Sequence, residues 1–159
     1  MKNIVRRTTL MVRDIEISAA WYEQVAGMTR YYDDEVVLSG EGMAAGAEGD
    51  RTRLIVMQCE DPEIGMIGLL QWIDPPLPAP AEIPTSVTYG NPTFVVASDD
   101  AQEVWRRARE LDTHIHAEPH EFSVTGPKGE TMEFVSVCMF DPDGYFYQFN
   151  QLSKVTPPA

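Results

Sequence analysis

The order strand, helix, three strands is written twice in this chain, and that repeat constrains the fold more than any single motif. Residues 4–13 are rich in β-branched side chains and read as a strand. Asp14 offers an N-cap, and Ile15 to Ala26 read as a helix with Ile17, Ala20, Trp21 and Val25 at helical spacing. Gly27 suits the position just past its end. Strands follow at 28–38, 53–59 and 67–73, with an acidic Gly/Ala-rich segment at 39–50 that reads as a mobile loop. The pattern then restarts. Strand 93–98 leads into a helix from about Asp100 to Leu111, with Asp99 and Gln102 resembling a capping box. Extended segments follow at 114–122, 133–140 and 145–151. Arg7 stands seven residues before Asp14, and Thr93 stands seven before Asp100.

Between the halves lies a proline-rich linker, residues 75–90, whose prolines fall at 75–84 and favour a stiff, extended connection. The reading is therefore α+β: a first βαβββ module over 3–74, a second over 91–152, and a frayed tail at 153–159. Helices are expected on one side of mixed sheets, with Trp21, Trp105 and Trp72 packing beneath them.

The most specific local signal is the run Phe140-Asp141-Pro142-Asp143-Gly144-Tyr145. Pro142 presets φ, Asp141 can bond its own backbone two residues on, and Gly144 tolerates φ > 0. The strand that follows alternates, placing Phe146, Gln148 and Asn150 on one face and Tyr145, Tyr147 and Phe149 on the other.

Charge limits the partners. With 12 Lys and Arg against 25 Asp and Glu, the net charge of −13 makes nucleic acid and anionic membranes poor partners, since both need clustered cations. No apolar run reaches the ~20 residues of a membrane span. The first residues show no signal-peptide pattern, so a cytoplasmic location is expected, with Cys59 and Cys138 as reduced, buried thiols.

Taken together, several stretches resemble the vicinal oxygen chelate superfamily, which includes glyoxalase I, the bleomycin-resistance proteins and the extradiol dioxygenases. Arg7-Thr8-Thr9-Leu10-Met11-Val12-Arg13-Asp14-Ile15 with Trp21 to Met28 is similar to its opening. Gly126-Pro127-Lys128-Gly129 with Glu133-Phe134-Val135 resembles its penultimate hairpin, and the Asp141 turn its closing motif. The likeness implies two βαβββ modules forming an open curved barrel with a ligand cup between them, in a homodimer. In metal-dependent members, ligands come from the first and last strands of the modules. Carried onto this chain, those positions are Arg7, Gln71 (Leu70 with a one-residue shift), Thr93 and Gln148.

These donors do not suit Zn, Ni, Fe or Mn, which want imidazole, carboxylate or thiolate. Arg7 has no lone pair to give and repels a dication. No metal and no cofactor are expected. The resemblance then implies a bleomycin-resistance-like protein that binds a small organic molecule, aromatic or polyketide-like, through Arg7, Thr9, Gln71, Thr93, Phe146, Gln148 and Asn150. Met11, Val95 and Ala97 are the expected inward neighbours. Arg7 could bind a carboxylate, phosphate or enolate through its planar fork.

A lyase or isomerase with Arg7 stabilising an oxyanion is the alternative reading. A metal-dependent glyoxalase or an extradiol dioxygenase is a more distant one. His114 and His116, with Glu118 and Glu121 nearby, are the remaining candidates for a replacement metal site, against a plainer reading as exposed strand residues. Asp33, Asp34 and Glu35 read as a solvated bend.

Overall fold

The computed structural model describes residues 3–158 and divides into two compact units, one ending at Glu82 and the next beginning at Ile83. The first holds β1 (Arg7–Met11), α1 (Ile15–Gln24), β2 (Thr29–Val37), β3 (Arg51–Gln58) and β4 (Met66–Asp74). The second holds β5 (Thr93–Ala97), α2 (Ala101–Glu110), β6 (His114–Thr125), β7 (Thr131–Phe140) and β8 (Phe146–Thr156). Each is a βαβββ module with a four-stranded mixed sheet, ordered β1-β4-β3-β2 and β5-β8-β7-β6. The strand before each helix pairs in parallel with the last strand of its module, and the remaining pairs are antiparallel. The fold is α+β, and neither sheet closes into a barrel.

Each helix starts on an aspartate. Asp14 accepts from the backbone N–H groups of Glu16 and Ile17, both at 3.1 Å. In the second module the cap is Asp100, one residue later than the expected capping box. Its carboxylate accepts from Glu103 N at 2.9 Å, and the following residues place Glu103, rather than Gln102, at the third helical position.

The buried stripe of α1 is Ile15, Ser18, Ala19, Trp21, Tyr22, with Val25 at its end. Ile17, expected within it, is 60% exposed. The cap fixes where the helix begins, and with it which residues face the sheet. Below α1 lie Ile55, Met57 and Leu69, all fully buried. Below α2 lie Tyr147 and Phe149, with Phe94 stacked on Tyr147 at 4.7 Å between centroids. Each such side chain contributes about 1.5–3 kcal/mol by leaving water.

The Asp141 turn forms as its residues dictate. Asp141 Oδ1 accepts from Asp143 N at 3.0 Å and Tyr145 N at 2.8 Å, and Gly144 takes φ +90°. A side chain at Gly144 would strike Pro84, so the proline-rich stretch packs onto this turn.

Two segments differ from expectation. Residues 153–156, read as a frayed tail, continue β8: Thr156 pairs with Thr131, and Ser153 Oγ donates to Glu133 O at 2.9 Å. The cause is β7, which begins at Thr131 and so supplies partners further out. Ala159 lies outside the described residues. Residues 39–50, read as a mobile loop, are tied at both ends. Leu38 N donates to Asp50 O and Gly49 N to Leu38 O, each at 2.9 Å.

A candidate ligand site on the first module

Strand alternation gives each sheet one face under its helix and one far face. In β1, Leu10 is buried on the helix side, while Arg7, Thr9 and Met11 belong to the far face. Their partners across the parallel ladder are Met66, Gly68 and Leu70. Gly68 is the critical member. A Cβ added there would stand 2.9 Å from Thr9 Oγ1 and 3.1 Å from Arg7 Cδ. The missing side chain lets Arg7 lie flat across β4. Among the described residues, neither the guanidinium of Arg7 nor the hydroxyl of Thr9 has a hydrogen-bond or ion-pair partner.

Arg7 and Thr9 line a cavity of about 260 Å³ together with Leu54, Leu70, Val36 and Met43. Arg7 is the only charged residue among the described residues lining it. The rim is the 38–43 stretch, where Ser39 Oγ accepts from Glu41 N and Gly42 N at 3.3 and 3.4 Å. Its anchor is Asp50, which is 9% exposed. One oxygen, Asp50 Oδ2, accepts from Trp72 Nε1 at 3.1 Å and from Ala47 N at 2.9 Å. Trp72 thus holds the loop on the far face instead of packing under α1.

Gln71, expected beside Arg7, is not in this cavity. It points to the helix side, where its Oε1 accepts from Ile15 N at 3.0 Å. Leu70 takes the cavity position, as a one-residue register shift would require. The second module repeats the device: Gln151 Oε1 accepts from Ala101 N at 3.2 Å. The offset that carries Gln71 onto Gln151 carries Gly68 onto Gln148 and Leu70 onto Asn150. Backbone bonds agree, since Val12 N reaches Leu70 O and Ser98 N reaches Asn150 O, each at 3.0 Å.

On the second module, Thr93, Val95 and Ala97 are exposed on the far face of β5. Thr93 pairs with Phe146, Val95 with Gln148 and Ala97 with Asn150. Asn150 is committed to its own sheet, its Oδ1 accepting from Ser136 Oγ at 2.6 Å. Gln148 Nε2 lies 3.9 Å from Cys138 Sγ, which leaves its amide oxygen available. Phe146 belongs to an aromatic group with Phe140 and His116. The structure therefore brings Phe146, Gln148 and Asn150 together near Thr93 on this sheet, and Arg7 and Thr9 together on the other.

The metal positions do not fit a divalent ion. Arg7 is a fixed cation, Gln71 is turned to the helix side and Leu70 has no donor, Thr93 offers a neutral hydroxyl and Gln148 an amide. His114 and His116 do not make a replacement. Their rings pack against Phe140 at 5.4 and 6.3 Å, and among the described residues no group of three or more His, Cys, Asp or Glu could hold a metal. Cys59 and Cys138 are free.

The acidic run 33–35 is part of β2, not a bend. Arg53 grips Asp33 through two 2.8 Å bonds and also reaches Glu16. Arg30 bonds Glu16 and Glu23 on α1. Hydrogen bonds from Arg30, then Arg53, hold the Glu16 carboxyl below its usual range, and Arg53 does the same for Asp33. These ion pairs fasten α1 to its sheet on the side away from the cavity.

Strand alternation anticipated that Arg7 and Thr9 share one face of β1, as they do, whereas nothing in the local sequence singled out Gly68 or the 38–43 stretch beside them. The repeat held the signal for Gly68: aligning the two modules on Gln71 and Gln151 places a glycine opposite Gln148.

Comparison with known proteins agrees with this architecture. The sequence model of the Glyoxalase/Bleomycin resistance protein/Dioxygenase superfamily matches residues 4–149. No curated protein matches significantly. Among solved structures, a glyoxalase family protein from Bacillus cereus superposes with a TM-score of 0.75 at 13% identity, covering 97% of both chains. A glyoxylase/bleomycin resistance protein/dioxygenase domain from Frankia sp. EAN1pec gives 0.64 at 12% identity, over 96% of this chain and 100% of that one. A glyoxalase I mutant from Zea mays gives 0.60 at 16% identity, over 95% of this chain and 45% of that one. At these identities the likeness speaks for the fold alone.

Proposed function

This chain belongs to the Glyoxalase/Bleomycin resistance protein/Dioxygenase superfamily, and on that premise we propose that it binds a small organic molecule on the far face of its first sheet without a divalent metal. One observation carries the reading. At the position where the resemblance expects a metal-binding His, Arg7 lies across Gly68, has no hydrogen-bond or ion-pair partner among the described residues, and is the one charged side chain among the described residues lining the cavity. Concave, mostly apolar sites with a few placed polar groups are the usual form of a small-molecule site.

The lyase or isomerase reading keeps Arg7 as an oxyanion stabiliser but lacks a proton acceptor. Among the described residues that line the cavity there is no His, Asp, Glu, Lys, Cys or Tyr. Binding therefore ranks ahead of catalysis.

Elemental analysis of the purified chain, paired with a thermal-shift screen of small organic molecules with and without EDTA, tests the proposal. The expected result is ligand-induced stabilisation that chelation leaves unchanged. A stoichiometric metal whose removal abolishes that stabilisation would overturn it. Turnover of any hit, lost in Arg7→Ala with the fold intact, would move the reading to the enzyme.

A further inference from the structure

Resting on that reading, we infer that the occupant of the first module's cavity is a monocarboxylate with a short apolar body. The chemistry of the wall selects it. Among the described residues, Arg7 is the only charged one in the lining and it makes no ion pair. A planar guanidinium fork matches a planar two-oxygen anion, with two parallel N–H···O bonds available. One positive charge balances one negative charge. A phosphate dianion would keep an unmatched charge beside Leu54 and Leu70, which also line the cavity.

The remainder of the wall is mostly apolar, with Val36, Met43, Leu54 and Leu70 among its residues. It suits a hydrocarbon or aryl body, while Arg7, Thr9 and Ser39 are the polar side chains among the described lining residues. The volume of about 260 Å³ lies below the usual range for drug-sized ligands, so the body is small. The net charge of −13 belongs to the chain as a whole. Screening over roughly 8 Å at physiological salt leaves the nearest charge, Arg7, to decide the sign of the ligand.

Gly68 sets the specificity. It leaves room for the Arg7 stem and the Thr9 hydroxyl, and a Cβ there would stand 2.9 Å from Thr9 Oγ1 and 3.1 Å from Arg7 Cδ, crowding both. The two substitutions act differently: Arg7→Gln removes the charge, while Gly68→Ala keeps the charge and crowds the Arg7 stem and the Thr9 hydroxyl.

Calorimetric titration of the full chain with benzoate, benzamide, benzylamine and inorganic phosphate tests this. Benzoate is expected to bind saturably, with benzamide, benzylamine and phosphate each at least about tenfold weaker. Arg7→Gln should weaken benzoate roughly 10- to 100-fold, the range of a charge-assisted hydrogen-bonded contact. Arg7→Lys should recover part of that loss, and Gly68→Ala should weaken benzoate while circular dichroism shows the fold unchanged. Benzamide or benzylamine binding as tightly as benzoate, or benzoate binding unaltered in Arg7→Gln, would overturn the carboxylate assignment and leave small-molecule binding standing. Phosphate binding as tightly as benzoate would overturn the planar-monoanion argument. No binding by any probe up to its solubility limit, together with no hit in the wider screen, would overturn both.

Discussion

Gln71 closes the N-terminus of α1 by accepting the backbone N–H of Ile15 at 3.0 Å. Asp14 serves the next two N–H groups, so the first turn is satisfied from two directions. Gln71→Ala should cost about 1 kcal/mol in urea denaturation, the size of one partly buried hydrogen bond at a cap. Ligand affinity should not change, because Gln71 faces away from the cavity. A weakened ligand with unchanged stability would show that Gln71 belongs to the site after all. Gln151→Ala should behave alike through Ala101.

The loop wall depends on Asp50 and Trp72. Trp72→Phe keeps the ring but removes the N–H, leaving a buried carboxylate short of one donor. The expected loss is about 1–3 kcal/mol. Hydrogen exchange should locate it, with the amides of Leu38 and Gly49 losing protection before those of β3. Uniform loss of protection across the module would contradict a local anchor.

Acid should loosen the protein through its exposed carboxylate pairs. Hydrogen bonds from Arg106 and Arg107 pull the Glu103 carboxyl from 4.5 to about 2. Glu16 and Asp33 are also lowered, by Arg30 with Arg53 and by Arg53 respectively. A carboxyl lowered in the folded state favours folding above its unfolded value and loses that contribution as pH falls through the folded one. The urea midpoint should therefore be flat above about pH 5 and decline toward pH 2. Added salt should flatten the decline, since these pairs face solvent. Glu103→Gln should remove part of it, and an NMR titration placing the Glu103 carboxyl near 4.5 would refute the assignment.

The thiols should react slowly in the native chain. Burial pushes the Cys59 thiol up, and Cys138 is 5% exposed. Iodoacetamide labelling at neutral pH should be slow for both and should accelerate for both on unfolding. Fast native labelling of Cys138 would mean that the β7–β8 ladder opens readily.

The architecture was legible because it is local and repeated. Asp14, the Asp141 turn and the alternation of β8 each follow from a few adjacent residues, and the second copy checks the first. What escaped the sequence was register. Shifting β4 by one residue exchanges Gln71 for Leu70 at the cavity, and both are plausible in a strand whose residues 66–70 are all buried. Helix facing slipped likewise at Ile17, because the cap decides the stripe and apolar residues lie on more than one side of α1. The loop wall was illegible for a different reason. Its anchor joins Asp50 to Trp72 across the sheet, and composition alone marked the segment as mobile.

Placing the helix clip and the cavity on opposite sides of one strand separates two kinds of selection. Gln71 and Gln151 do the same job in both copies, while the residues three positions before them, Gly68 and Gln148, have diverged completely. A designer could therefore rewrite the far face of β4 or β8 residue by residue while the other side of the same strand goes on docking its helix.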